Sequence, residues 1–68
     1  MITVDARGLS CPEPVMLAMD AMKEAKGGCV KVLVLEPHQR KNIEDLAKHE
    51  KREFMTVDKG DYFEVTIE

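Results

Sequence analysis

The sequence predicts an α/β two-layer sandwich: a four-stranded mixed sheet with two helices on one face, in the order β-α-β-α-β-β. Three observations predict it. Residues 29–35 read Cys-Val-Lys-Val-Leu-Val-Leu, an apolar run broken only by Lys31, as an interior strand buried on most of its surface would read. Residues 12–26 place Val15, Ala18, Met19, Met22 and Ala25 at helical spacing, so they form one apolar stripe. Residues 53–67 read as two short strands around the turn signal Asp58-Lys59-Gly60-Asp61. A strand–helix–strand unit makes its strands parallel through a right-handed crossover. Two amphipathic helices on one face of one sheet is then the economical way to bury both stripes.

Taken in order, residues 1–5 form a short strand, with Ile2 and Val4 alternating with Thr3. Arg7-Gly8 makes a turn. The first helix follows over 12–26, its stripe widened by Leu17 and Ala21, with Asp20, Lys23, Glu24 and Lys26 on the wet face. Gly27 suits the left-handed position past the helix end. Glu36-Pro37 stops the second strand. A second helix is expected over 39–50, with a narrow stripe of Ile43, Leu46 and Ala47; Asn42 could cap a shorter version. In the third strand, 53–57, Phe54 and Thr56 stand opposite Met55 and Val57. In the fourth, 62–67, Phe63, Val65 and Ile67 point inward.

With 68 residues the chain is expected to be one domain, 1–68, with a thin core and no large active-site cavity. A hydrophobic share of 44% is too high for disorder. The formal charge of −3 argues against direct nucleic-acid binding, which needs basic patches. No apolar run approaches membrane-spanning length, and Asp5 and Arg7 interrupt any signal peptide. The expected location is the cytoplasm, where thiols stay reduced, and the expected state is a monomer. The spacing of His38 and His49 does not suggest a metal site. The methionines 16, 19, 22 and 55 read most simply as core or gap-filling residues. Met16, partly off the stripe and one turn from Cys11, could instead belong to a soft partner-binding patch.

The chemistry-bearing stretch is Asp5-Ala6-Arg7-Gly8-Leu9-Ser10-Cys11-Pro12-Glu13-Pro14. Pro12 suits the first helical position and Pro14 still lies in the first turn, where backbone N–H groups make no intrahelical bond. Cys11 therefore reads as the N-cap or its neighbour, where the positive helix end favours a thiolate. A free cysteine is most often a small buried residue. The turn-forming and charged neighbours of Cys11 favour a reactive thiol instead. Glu13 is good for the helix but repels a neighbouring thiolate. Asp5 is expected to bond the Gly8 or Leu9 backbone as a turn residue.

This stretch, Asp5-x-Arg7-Gly8-Leu9-x-Cys11-Pro12-x-Pro14 continued by Val15-Met16-Leu17, resembles the signature of the TusA-like, or SirA-like, sulfur-carrier family. The chain length fits a whole family domain, while the C-terminal half matches only in its pattern of elements. The resemblance implies a fold like the C-terminal domain of translation initiation factor 3. It implies sulfane sulfur carried as a persulfide on Cys11, with Arg7, Gly8, Pro12, Glu13 and Pro14 as supporting residues and no cofactor. It also implies a sulfur-donor protein, such as a cysteine desulfurase or a rhodanese-like protein, and a sulfur-acceptor protein. Relatives serve tRNA thiolation, sulfur oxidation, and cofactor or selenium metabolism. Glu36-Pro37 stands where relatives often show Asp-Pro, and Asn42-Ile43 where they often show Asp-Ile.

The parallel arrangement also brings the segment after the second strand near Cys11, because ligands gather outside the carboxyl ends of strands. Arg7, His38, Arg40 and Lys41 are thereby candidates to stabilise a thiolate or persulfide and to dock an anionic partner; Arg40 and Lys41 could equally be a solvated helix start. Two other classes stay open. One is a non-catalytic interaction or regulatory module. The other is a thiol redox protein, which needs a resolving cysteine; Cys29 lies beyond the far end of a helix roughly 20 Å long.

Overall fold

A computed structural model describes residues 1–10 and 12–68. The elements follow as β1 (Ile2–Asp5), α1 (Glu13–Ala25), β2 (Val30–Val34), α2 (Pro37–His49), β3 (Phe54–Asp58) and β4 (Phe63–Ile67). The sheet order is β1-β2-β4-β3, with β1 parallel to β2 and the other two pairings antiparallel. This is the mixed four-stranded sheet with two helices that the hydrophobic pattern predicts.

Period-two alternation decides which side the helices cover. Val30, Val32 and Val34 of β2 and Val65 and Ile67 of β4 are fully buried, while Lys31 and Leu33 between them are only partly covered. Ile43, Leu46 and Ala47 of α2 and Ala18, Ala21 and Met22 of α1 complete the core. The opposite face of the sheet is open. It carries Thr3, Lys31, Thr66 and Met55 in one row and Asp5, Leu33, Glu64 and Val57 in the next. The second strand is therefore interior to the sheet but not buried on most of its surface, since no layer covers that side.

Several element bounds and burials depart from the sequence reading. Helix α1 starts at Glu13, with Pro12 as N-cap and Pro14 in the first turn, buried. Met19 is 41% exposed and Met16 58% exposed. The buried stripe runs through Pro14, Ala18, Ala21 and Met22, to one side of Met19. Of the four methionines read as core, Met22 alone is buried; Met16, Met19 and Met55 lie exposed. Two positive-φ residues follow the end of α1: Lys26 (φ 51), whose backbone N–H donates to Lys23 O, and Gly27 (φ 88), the glycine expected there.

Helix α2 starts at Pro37 rather than at 39, with Glu36 as N-cap, so Asn42 lies inside it rather than at its start. Pro37 thus ends the strand and opens the helix at once, its fixed φ suiting the first helical position. Strands β2 and β4 are shorter than expected, with Cys29 and Tyr62 just outside them, and β3 is shifted one residue onward. At the hairpin tip Gly60 has φ 91, and its N–H donates to Asp58 Oδ1 at 2.8 Å.

Candidate functional site

The site is built where β1 runs out into α1. Ala6 is fully buried, and its N–H extends the β1–β2 ladder by donating to Leu33 O at 2.9 Å. The chain then turns back: Leu9 N–H donates to Ala6 O at 3.2 Å, with Gly8 at φ 84. A turn of this type needs positive φ at its third residue, which explains a glycine at that position. Past it, Glu13 N–H donates to Ser10 O at 2.9 Å and Met16 N–H to Pro12 O at 3.1 Å. Pro14 is buried against the core. The residues on both sides of position 11 are thus tied down by backbone bonds and packing. Cys11 itself, and with it the readings of its exposure, acidity and distance from other groups, lies outside the described residues.

Arg7 is exposed and already engaged. Its Nε and Nη2 donate to Asp5 Oδ1 and Oδ2, each at 2.8 Å, and its guanidinium carbon lies 4.9 Å from the Tyr62 ring centroid. Asp5 also accepts from the Arg7 backbone N–H at 3.2 Å. Asp5 is a turn residue as expected, but it bonds Arg7 rather than Gly8 or Leu9, because the residue two positions on supplies three donors at once, two from its guanidinium and one from its backbone. The Arg7 side-chain hydrogen bonds, and after them its backbone N–H, hold the Asp5 pKa down from 3.8 to about 2.

The segment after β2 does meet the β1–α1 loop. The contact is made by Gln39, whose Nε2 donates to Leu9 O at 2.5 Å. His38 and Lys41 are exposed on α2, while Arg40 is partly covered. Arg40 donates to both carboxylate oxygens of Glu44 at 3.1 Å and lies 5.3 Å from the Phe63 ring centroid. Lys41 pairs with Asp45 at 3.1 Å. Each of these cations has an acid one turn further along the helix, so the positive field expected of them is largely balanced where it arises. Glu13 stands exposed in the first turn of α1.

Gln39 is the residue the sequence reading missed. It occupies the position four before Ile43, seven before Leu46 and eight before Ala47, which places it on the apolar stripe of α2. A polar residue continuing an apolar stripe is the signal that could have found it. Elsewhere, a shallow depression of about 130 Å³ is lined by Met19, Met22, Lys23 and Glu50, too small for a substrate of any size. Among the described residues no cluster of His, Cys, Asp or Glu could hold a metal ion, and no helix is long and apolar enough to cross a membrane.

The fold has a counterpart of known structure. A solved structure of a SirA-like protein from Desulfitobacterium hafniense superposes with a TM-score of 0.91 at 36% identity, covering 98% of this chain and 95% of that one. The shared architecture is that of the SirA-like proteins. The family model described as sulfurtransferase TusA matches residues 2–68, and the chain belongs to that family. The sulfur carrier protein TusA of Pseudomonas entomophila is 48% identical over 42 residues, 60% of this chain and 52% of that protein. Its namesake in Pseudomonas aeruginosa strain PAO1 is 44% identical over 41 residues, 59% of this chain and 52% of its own. The matches thus span about half the length of these curated relatives.

Proposed function

We propose that this protein is a sulfur carrier that takes up sulfane sulfur as a persulfide on Cys11 and relays it to an acceptor protein. The observation that carries the reading is the Cys11-Pro12-Glu13-Pro14 stretch at a strand-to-helix junction, in a chain that matches the family over residues 2–68. In the uptake step the Cys11 thiolate attacks the terminal sulfur of a donor persulfide, R–S–SH. The Cys11–sulfur bond forms as the donor's S–S bond breaks, and the donor leaves as its thiolate. No external oxidant or reductant is needed, because one S–S bond replaces another. Delivery is the same exchange with an acceptor thiol. Such chemistry requires an accessible nucleophile and a docking surface but no enclosed substrate cavity, which suits a domain of this size.

The donor is a persulfide-forming protein, a cysteine desulfurase or a rhodanese-like protein, and the relay runs in the reducing cytoplasm with no direct contact to nucleic acid. The chain acts as a carrier within a sulfurtransferase relay rather than as a stand-alone enzyme. The test is intact-protein mass spectrometry after incubation with a cysteine desulfurase and cysteine. The expected result is a gain of the mass of one sulfur, removed by dithiothreitol and mapped to the Cys11 peptide. No gain at Cys11 under conditions that persulfidate the donor overturns the proposal.

A further inference from the structure

We infer that Gln39 is a positioning residue for the Cys11 turn, holding the loop before the cysteine to the second helix; the inference rests on the persulfide-carrier reading. Gln39 is the one buried polar or charged side chain among the described residues, 5% exposed and set in the apolar stripe of α2. Its Nε2 crosses from one helix layer to the loop serving the other and donates to Leu9 O, 30 positions away in sequence. Leu9 stands two residues before Cys11. The amide assignment is unambiguous, because exchanging N and O would set two acceptors against each other at 2.5 Å.

The other end of the same amide gains nothing from its burial. Gln39 Oε1 is buried and has no hydrogen-bond partner among the described residues. A stranded acceptor in a core is costly, and a methionine of the same length would fill the position without one. What methionine cannot do is donate to the Leu9 carbonyl. That carbonyl belongs to a loop that Ala6 N–H ties to Leu33 O at its start, and whose bonds past Ala6, among the described residues, are otherwise local: Leu9 to Ala6, Glu13 to Ser10, Met16 to Pro12. Local bonds shape a turn but do not locate it against the rest of the molecule. The Gln39 bond does, and it does so on the side from which α2 approaches. A reacting group two residues beyond an externally braced carbonyl is displaced less than one on a loop held by local bonds alone.

The test is the pH profile of Cys11 alkylation by iodoacetamide in wild type, Gln39→Met and Gln39→Asn, with thermal unfolding measured alongside. Gln39→Asn keeps an amide but shortens its reach, so it remains informative where the methionine variant fails to fold. The expected result is a midpoint displaced toward the free-thiol value near 8.5 in both folded variants. Sulfur delivery to an acceptor thiol should also fall roughly tenfold or more, the scale on which misplacing a reacting group acts. A merely structural role lowers the unfolding temperature and leaves the midpoint unmoved, and that outcome overturns the inference. Alkylation does not require sulfur carriage. Failure of wild type to gain sulfur therefore counts against the proposed function, while an unmoved midpoint counts against Gln39.

Discussion

The guanidinium of Arg7 forks onto the carboxylate of Asp5, Nε to Oδ1 and Nη2 to Oδ2, both at 2.8 Å. The pair stands at the end of β1, where the chain leaves the sheet, and Arg7 lies over Tyr62, the residue just before β4. Because the charged form of Asp5 is the one hydrogen-bonded, its pKa is held at about 2. A depressed carboxylate pKa contributes stability that is present above the unfolded value, about 3.9, and lost as pH falls through the folded value. NMR titration of the Asp5 carboxyl should give a midpoint near 2 in wild type and a return toward the ordinary value in Arg7→Met. An unchanged midpoint in that variant rejects Arg7 as the cause.

Cys11→Ser should remove all sulfur gain and leave the fold intact. Mass spectrometry after exposure to a persulfide donor checks the first part and calorimetry the second. Sulfur relay by the serine variant rules out Cys11 as the carrier.

Arg40 and Lys41 should separate on mutation. Arg40 is partly covered, pairs with Glu44 and lies against the Phe63 ring, so Arg40→Glu places like charges together and removes a ring contact. The expected cost is about 1 kcal/mol, read by urea denaturation. Lys41 is 69% exposed at its side chain and, among the described residues, pairs with exposed Asp45, so Lys41→Glu should leave stability nearly unchanged. If Lys41 steers an acidic partner, its reversal slows sulfur transfer at low salt and not at high salt. Equal rates at low salt remove it from the docking surface.

Lys26→Gly should stabilise the protein by about 0.5–1 kcal/mol, since a non-glycine residue in the left-handed region is strained. Lys26 sits at φ 51 and ends α1. A drop in unfolding temperature in this variant contradicts the observed helix end.

Cys29→Ala should keep sulfur transfer and cost little stability. Cys29 is half-buried just before β2, and its carbonyl accepts from Ile2 N–H at 3.2 Å, at the start of β1, whereas Cys11 follows that strand's other end. Peptide mapping under mild oxidation is the direct check. A major Cys11–Cys29 disulfide in folded monomer contradicts the strand–helix–strand arrangement and restores the redox reading.

The sequence by itself determined the element order, the parallel pairing of the first two strands and the inward faces of β2, β4 and α2. Val30, Val32 and Val34, or Ile43, Leu46 and Ala47, announce their faces through spacing alone, because periodicity is a local property of strands and helices. The proline-flanked cysteine and its family signature were legible for the same reason: the motif is contiguous. Tertiary structure decided which residues those faces meet. Met19 fits the stripe of α1 by spacing yet stands exposed, because the period fixes which residues share a face and the packing of the helix fixes which arc is covered. Pro37 reads as a strand stop and proves also a helix start. Gln39 reads as an ordinary polar residue near a helix end. Its burial and its bond to Leu9 exist only because β1 and β2 run parallel and bring their carboxyl ends together. A hydrogen bond between residues 30 positions apart leaves no trace in local pattern; its partner is chosen by packing.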